Sequence, residues 1–106
     1  MIDPTELYNR AMDAAEDWST KDEIAANLDV AVDTLKAVIY AEMKSKGDSV
    51  TLIPTLAKGE KRYVEMMESY LKAKREALLA KMKYDQIGKY MDNIRTKESS
   101  ERQLGR

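Results

Sequence analysis

Between residues 60 and 97 the chain contains neither proline nor a cluster of turn residues, and its apolar side chains repeat every seven positions. Tyr63, Tyr70, Ala77, Tyr84 and Met91 share one heptad position, and Met66, Ala73, Ala80, Ile87 and Ile94 share the position three further on. Residues three and four apart lie on one helical face, so five such heptads specify one long helix with a continuous apolar seam. About 35 residues at 1.5 Å each rise roughly 50 Å, more than a compact globule of about 100 residues is wide. A rod of that length has to pair along itself. Val64, Met67, Leu71, Leu78 and Met82 form a second apolar stripe beside the seam, which widens the surface beyond a two-stranded contact and predicts a bundle or a multi-subunit assembly. Tyr63, Met66, Tyr70, Ala77, Tyr84, Ile87, Met91 and Ile94 are therefore expected at an interface between copies of the chain. Gly88 is the weak point within the helix.

The first half reads as two shorter amphipathic helices. Asp3-Pro4-Thr5-Glu6 has the form of a helix start: Asp3 caps, Pro4 occupies the first turn where its missing N–H is no loss, and Glu6 reaches back. Leu7, Tyr8, Ala11, Met12, Ala14, Ala15 and Trp18 then recur at helical spacing. Thr20-Lys21-Asp22-Glu23 has the form of a second capping box, opening a helix to about Ser45 with Ile24, Leu28, Ala31, Val32, Leu35, Val38, Ile39 and Met43 inward. Gly47 is the expected C-cap, and Pro54 disfavours helix at Ile53. Ser49, Thr51 and Thr55 are the candidate caps of a short turn beyond, and Gly59 a candidate kink. The expected fold is all-α in a single domain: an acidic helical hairpin over 1–46, a break over 47–59, a long basic helix over 60–97 and a polar tail over 98–106, assembling as a bundle or coiled-coil-like oligomer.

What the chain lacks narrows its chemistry. With no cysteine there is no disulfide, thiolate nucleophile or sulfur-ligated zinc, and with no histidine the commonest general base near neutral pH is missing. No glycine-rich phosphate loop is present. Asp13, Glu16, Asp17, Asp22, Glu23, Asp29 and Asp33 do not follow the spacing of a calcium loop and read as solvent-facing helical carboxylates. A non-enzymatic protein without metal or cofactor is expected. Residues 1–16 carry four acidic side chains and no apolar run, and no stretch approaches the ~18–20 apolar residues that span a bilayer. The expected compartment is the cytoplasm, that of a bacterium or of a phage-infected host, with no membrane partner.

Charge is distributed unevenly. Residues 1–56 hold five Lys/Arg against eleven Asp/Glu, whereas residues 57–106 hold thirteen against eight, so a near-neutral chain has an acidic half and a basic half. Lys72, Lys74, Arg75, Lys81, Lys83 and Lys89 lie close together with Tyr70, Tyr84 and Tyr90 interleaved. Cations spaced along a surface suit phosphates, and flat aromatic faces suit single-stranded bases. The same residues also read as the solvated face of a long helix with its tyrosines in the core, since Tyr70 and Tyr84 fall in the seam. Arg95, Lys97 and Arg102 extend the basic character into the tail, where Ser99 or Ser100 is a candidate cap for a last short helix.

The segments Tyr63-Val64-Glu65, Tyr70-Leu71-Lys72-Ala73-Lys74, Ala80-Lys81-Met82-Lys83-Tyr84 and Asn93-Ile94-Arg95-Thr96, continuing to Ser100-Glu101-Arg102, resemble small helical phage proteins of the UvsY family of recombination mediators. The likeness covers the C-terminal half. It implies an oligomeric protein that binds single-stranded DNA and helps load a RecA-like recombinase. The expected nucleic-acid contacts are Lys72, Lys74, Arg75, Lys81, Lys83, Lys89, Arg95 and Arg102, with Tyr84 or Tyr90 stacking on bases. The alternative is a small phage or bacterial protein-binding module, an inhibitor or scaffold, that engages its partner through acidic residues of the first half such as Asp13, Glu16 and Asp17.

Overall fold

A computed structural model describes residues 3–104, which form three helices and, among the described residues, no strand: α1 (Pro4–Ser45), α2 (Ile53–Lys58) and α3 (Lys61–Leu104). The fold class is all-α, as the heptads require. Asp3 caps α1 by accepting the Thr5 N–H at 3.4 Å, with Pro4 in the first turn.

One helix stands where two were expected. α1 runs without interruption through Thr20–Glu23, so Pro4–Ser45 does not fold back on itself as the expected hairpin over 1–46 requires, and the hairpin is made by α1 with α3. The reason is visible in the spacing of its covered residues. Leu7, Ala11, Ala14, Trp18, Lys21, Ala25, Leu28, Val32, Leu35 and Ile39 are all buried or half-buried and alternate at four and three residues throughout. A break at Thr20 would split that stripe in two. Lys21 sits in the stripe as its one charged member; its stem follows the seam while Nζ reaches Asp17 at 3.1 Å.

Gly47 stops α1. At φ +85° it takes the left-handed conformation, the Asp48 N–H donates to the Met43 carbonyl and the Gly47 N–H to the Lys44 carbonyl, at 3.1 Å each. This is a Schellman stop, and glycine adopts its backbone at least cost. The carbonyl of Ser49 then accepts from Leu52 and Ile53, starting α2 without any side-chain cap, so none of the three hydroxyls nominated above serves. Ile53 and Ala57 bury themselves at this closed end. Gly59 ends α2 rather than kinking a longer helix. Glu60 caps α3, its carboxylate accepting from the backbone N–H of Arg62 at 2.8 Å and of Tyr63 at 3.3 Å.

The two long helices run antiparallel. Trp18 meets Tyr84, Ala25 meets Ala73 and Ala77, and Glu42 meets Arg62, so numbers rise along α1 as they fall along α3. The resulting ribbon measures 82 × 21 × 14 Å. Every seam residue of α3 from Tyr63 to Ile94 is buried or half-buried on the face that meets α1, so Tyr63, Met66, Tyr70, Ala77, Tyr84, Ile87, Met91 and Ile94 pack within the chain. Alanines dominate the middle, where Ala25, Ala73 and Ala77 with Leu28 beside them permit close approach. The expected tail is also corrected. Residues 98–104 continue α3 as helix, with no new helix capped at Ser99 or Ser100, and residues 105 and 106 lie outside the described residues.

At the closed end Arg62 ties the two helices together. Its Nη2 donates to Glu42 Oε2 at 2.6 Å and its Nε to Glu60 Oε1 at 2.7 Å. These hydrogen bonds from Arg62 hold both carboxyls below their ordinary value of 4.5. Arg62 and Glu42 are about half exposed, at 48% and 42%, so the contribution is that of a surface network. A carboxyl with a depressed folded-state pKa stabilises above its unfolded value and ceases to do so as pH falls through the folded one. Arg62→Met is accordingly expected to melt at a lower temperature than the parent at pH 7, with the two melting curves converging as the pH is taken below about 4.5. A gap that persists at pH 3 would show that Arg62 acts through packing and not through these carboxylates.

Candidate nucleic-acid interface

α3 carries eleven Lys/Arg against seven Asp/Glu, while α1 carries four against nine, so the ribbon has one basic and one acidic helix side by side. Lys72, Lys74, Arg75, Lys81, Lys83, Lys89, Arg95 and Arg102 are all exposed. Among the described residues none of them forms an ion pair; the pairs present are Arg10–Glu6, Lys21–Asp17, Lys61–Glu65 and those of Arg62. The eight do not share one face. Lys74, Lys81, Arg95 and Arg102 fall at multiples of seven, on the edge of α3 next to the seam, with Gly88 in the missing place; the spacing along the axis is about 10 Å per heptad. Arg75 and Lys89 lie one step further out, Lys72 further round, and Lys83 on the opposite flank.

Two shallow depressions flank the seam. In one, Lys74, Arg75 and Lys81 surround a floor of Trp18, Leu71, Ala77 and Leu78, with Asp22 on the α1 side. Lys81 Nζ stands 5.9 Å from the centre of the Trp18 ring, and Lys74 Nζ the same distance from that of Tyr70. The other is lined by Lys83, Gln86 and Tyr90 of α3, opposite Arg10, Asp13 and Asp17 of α1. Lys83 therefore faces acidic residues across the groove.

The tyrosines separate. Tyr84 is half-buried, its ring centre 5.5 Å from that of Trp18 at an interplanar angle of 34°, so it belongs to the packing between the helices and offers no free face. Tyr90 is 45% exposed and is the aromatic of the expected pair that remains open to solvent. Trp18 was read from the sequence as the end of a buried stripe; its place beside Lys81 depends on the antiparallel register, which local spacing does not carry.

Among the described residues no helix is long and apolar enough to cross a membrane. Nor do three or more acidic side chains there converge as a metal site would need. No family model, no curated protein and no solved structure matches the chain.

Proposed function

We propose that this protein is a non-enzymatic accessory factor that holds single-stranded DNA along the outer side of α3, in the manner of a phage recombination mediator. The observation that carries this reading is that nine of the eleven α3 cations, the eight named above and Lys97, are exposed with no carboxylate among the described residues within ion-pair distance. Glu68 and Glu76 stand four residues from Lys72, Asp85 from Lys81 and Lys89, and Glu98 from Arg102, but exposed pairs at this spacing are weak. Here the lysines and arginines of the long helix stay unpaired over some 30 residues of its length, a distribution suited to a backbone of regularly spaced phosphates. Arg75, Lys89, Lys72 and Lys83 supply contacts along the rod, Arg95 and Arg102 extend them toward its end, and Tyr90 is the stacking surface.

The acidic outer side of α1 supports a second reading, in which Asp13, Glu16 and Asp17 meet a basic protein partner such as a recombinase. The two readings are compatible, because the charges occupy different helices. Fluorescence anisotropy of a labelled oligothymidylate at 50 mM salt, with duplex of the same length alongside, tests the first. Saturable binding that weakens steeply with salt supports it; no binding at low salt, or binding indifferent to salt, overturns it.

A further inference from the structure

We propose that two copies of the chain stack face to face as a four-helix bundle, with the twofold axis along the ribbon, both α2 turns at one end, and α3 of each copy lying over α1 of the other. This goes beyond the DNA reading: Lys89, Lys72 and Lys83 lie off the stacked flank, Arg75 borders it, and Arg95 and Arg102 share its edge toward the open end.

The starting point is how little a single copy covers. Among the described residues Ile39 is the one large side chain with under 2% of its surface exposed, and the ribbon is a single layer of helices. Leu71 and Leu78 remain 54% and 56% exposed, on the stripe that continues through Val64 and Met82. Aliphatic side chains aligned on one flank of a one-layer structure are the surface that a second layer buries. The area suffices: half of a face 82 × 21 Å across reaches the ~800 Å² that each partner contributes to a standard stable interface.

Charge selects the partner and its direction. The flank of Leu71 and Leu78 carries Lys74 and Lys81 on α3, and Asp22 lines the same groove from α1. Asp29, seven residues on, shares Asp22's edge of the helix. Within one copy these four make no ion pair. With the axis along the ribbon, α3 lies over the partner copy's α1 at the same level, so each lysine edge meets an aspartate edge while Leu71 and Leu78, interleaved with the lysines, lie against the partner copy's α1. With the axis across the ribbon, α3 would lie over α3 and α1 over α1, setting like charge on like charge. A second copy in the first arrangement satisfies both the apolar and the charged groups of the flank; a partner of one charge sign would satisfy half of them.

The test uses the full chain without DNA. Light scattering at 50 µM is expected to give about twice the 12.1 kDa chain mass. Because the chain has no cysteine, Asp48→Cys and Glu98→Cys chains can be mixed and cross-linked, and the linked peptides identified by mass spectrometry. With a flexible bismaleimide in place of oxidation, needed because the two α3 helices are diagonal neighbours beyond disulfide reach, the proposal expects links joining 48 to 48 and 98 to 98. Mixed 48-to-98 links, a chain-mass particle, or a larger assembly would each overturn it. Leu71→Glu/Leu78→Glu is expected to halve the particle mass. If that variant loses its helicity instead, the cross-links in the otherwise unaltered chain decide.

Discussion

Ile39→Ala is expected to lower the midpoint of thermal unfolding by about 15 °C, the largest effect of any single truncation in the chain. Ile39 is 1% exposed and lies toward the closed end, where Ile53 and Ala57 of α2 are buried as well. Truncating a buried isoleucine costs about 2–5 kcal/mol through lost transfer energy and the cavity left behind. At roughly 4–8 °C per kcal/mol for a small domain, a cost of about 3 kcal/mol gives the shift stated. A two-helix seam has few neighbouring side chains able to close the gap. Val30→Ala, at an exposed position of the same helix, is the control and is expected to leave the midpoint within a few degrees. Melts followed by circular dichroism at one fixed protein concentration make the comparison, since self-association makes the midpoint depend on concentration. Equal shifts for the two variants would mean that the described seam is not what holds the helices together.

Charge reversal on α3 carries the second large effect. If about six phosphates are neutralised, the logarithm of the binding constant for a single strand falls with the logarithm of salt concentration at a slope near −4, at ~0.7 per contact. That corresponds to roughly a 300-fold loss between 50 and 200 mM. Arg75→Glu/Lys89→Glu removes two contacts and adds repulsion, so the slope is expected to shrink to about −3. Affinity at 50 mM should fall at least tenfold beyond the change in slope. Lys44→Glu/Lys58→Glu makes an identical change in net charge at exposed positions near the turn and is expected to alter binding little. Similar losses in both doubles would reduce the effect to net charge and remove α3 as the binding surface.

Much of this architecture was legible in the residues, and the failures have physical causes. The ten seam positions of α3 from Tyr63 to Ile94 are all covered in the structure, joined by Met67 and Gly88 on the neighbouring edge, because a strict heptad turns one face to the partner helix. The heptad does not say which helix its seam packs against; within the chain that helix is α1. α1 has its own uninterrupted alternation of four and three, but Lys21 occupies one of its places and Ser19-Thr20 stands beside it. Those residues read locally as a helix start. A cap signal loses to tertiary packing when the apolar stripe on both sides lies in phase. Two short helices in place of α1 would each be too short to cover α3.

The tail failed for a different reason. Glu98 and Glu101 occupy seam positions, so the apolar pattern ends at Ile94, yet the helix persists to Leu104 where α1 no longer runs beside it. At the candidate interface, the identity and exposure of the cations followed from sequence. Their division between two flanks follows from the same heptad count. The pairing of Trp18 with Tyr84 and Lys81 does not, because it joins residues more than 60 positions apart through a register that only the folded hairpin sets.

α1 folding back on α3 within one chain creates every surface described above. The most direct measurement is a pulsed electron-spin distance between labels on Ser19→Cys and Asp85→Cys, in doubly labelled chain diluted with unlabelled chain. Both positions are exposed and lie at nearly the same level of the ribbon. With helix axes 8–10 Å apart and the labels' own reach added, one narrow distribution centred at about 20–25 Å is expected. A distribution centred beyond about 40 Å, as in an opened chain whose long helices pair only with other copies, would contradict the hairpin and the readings built on it.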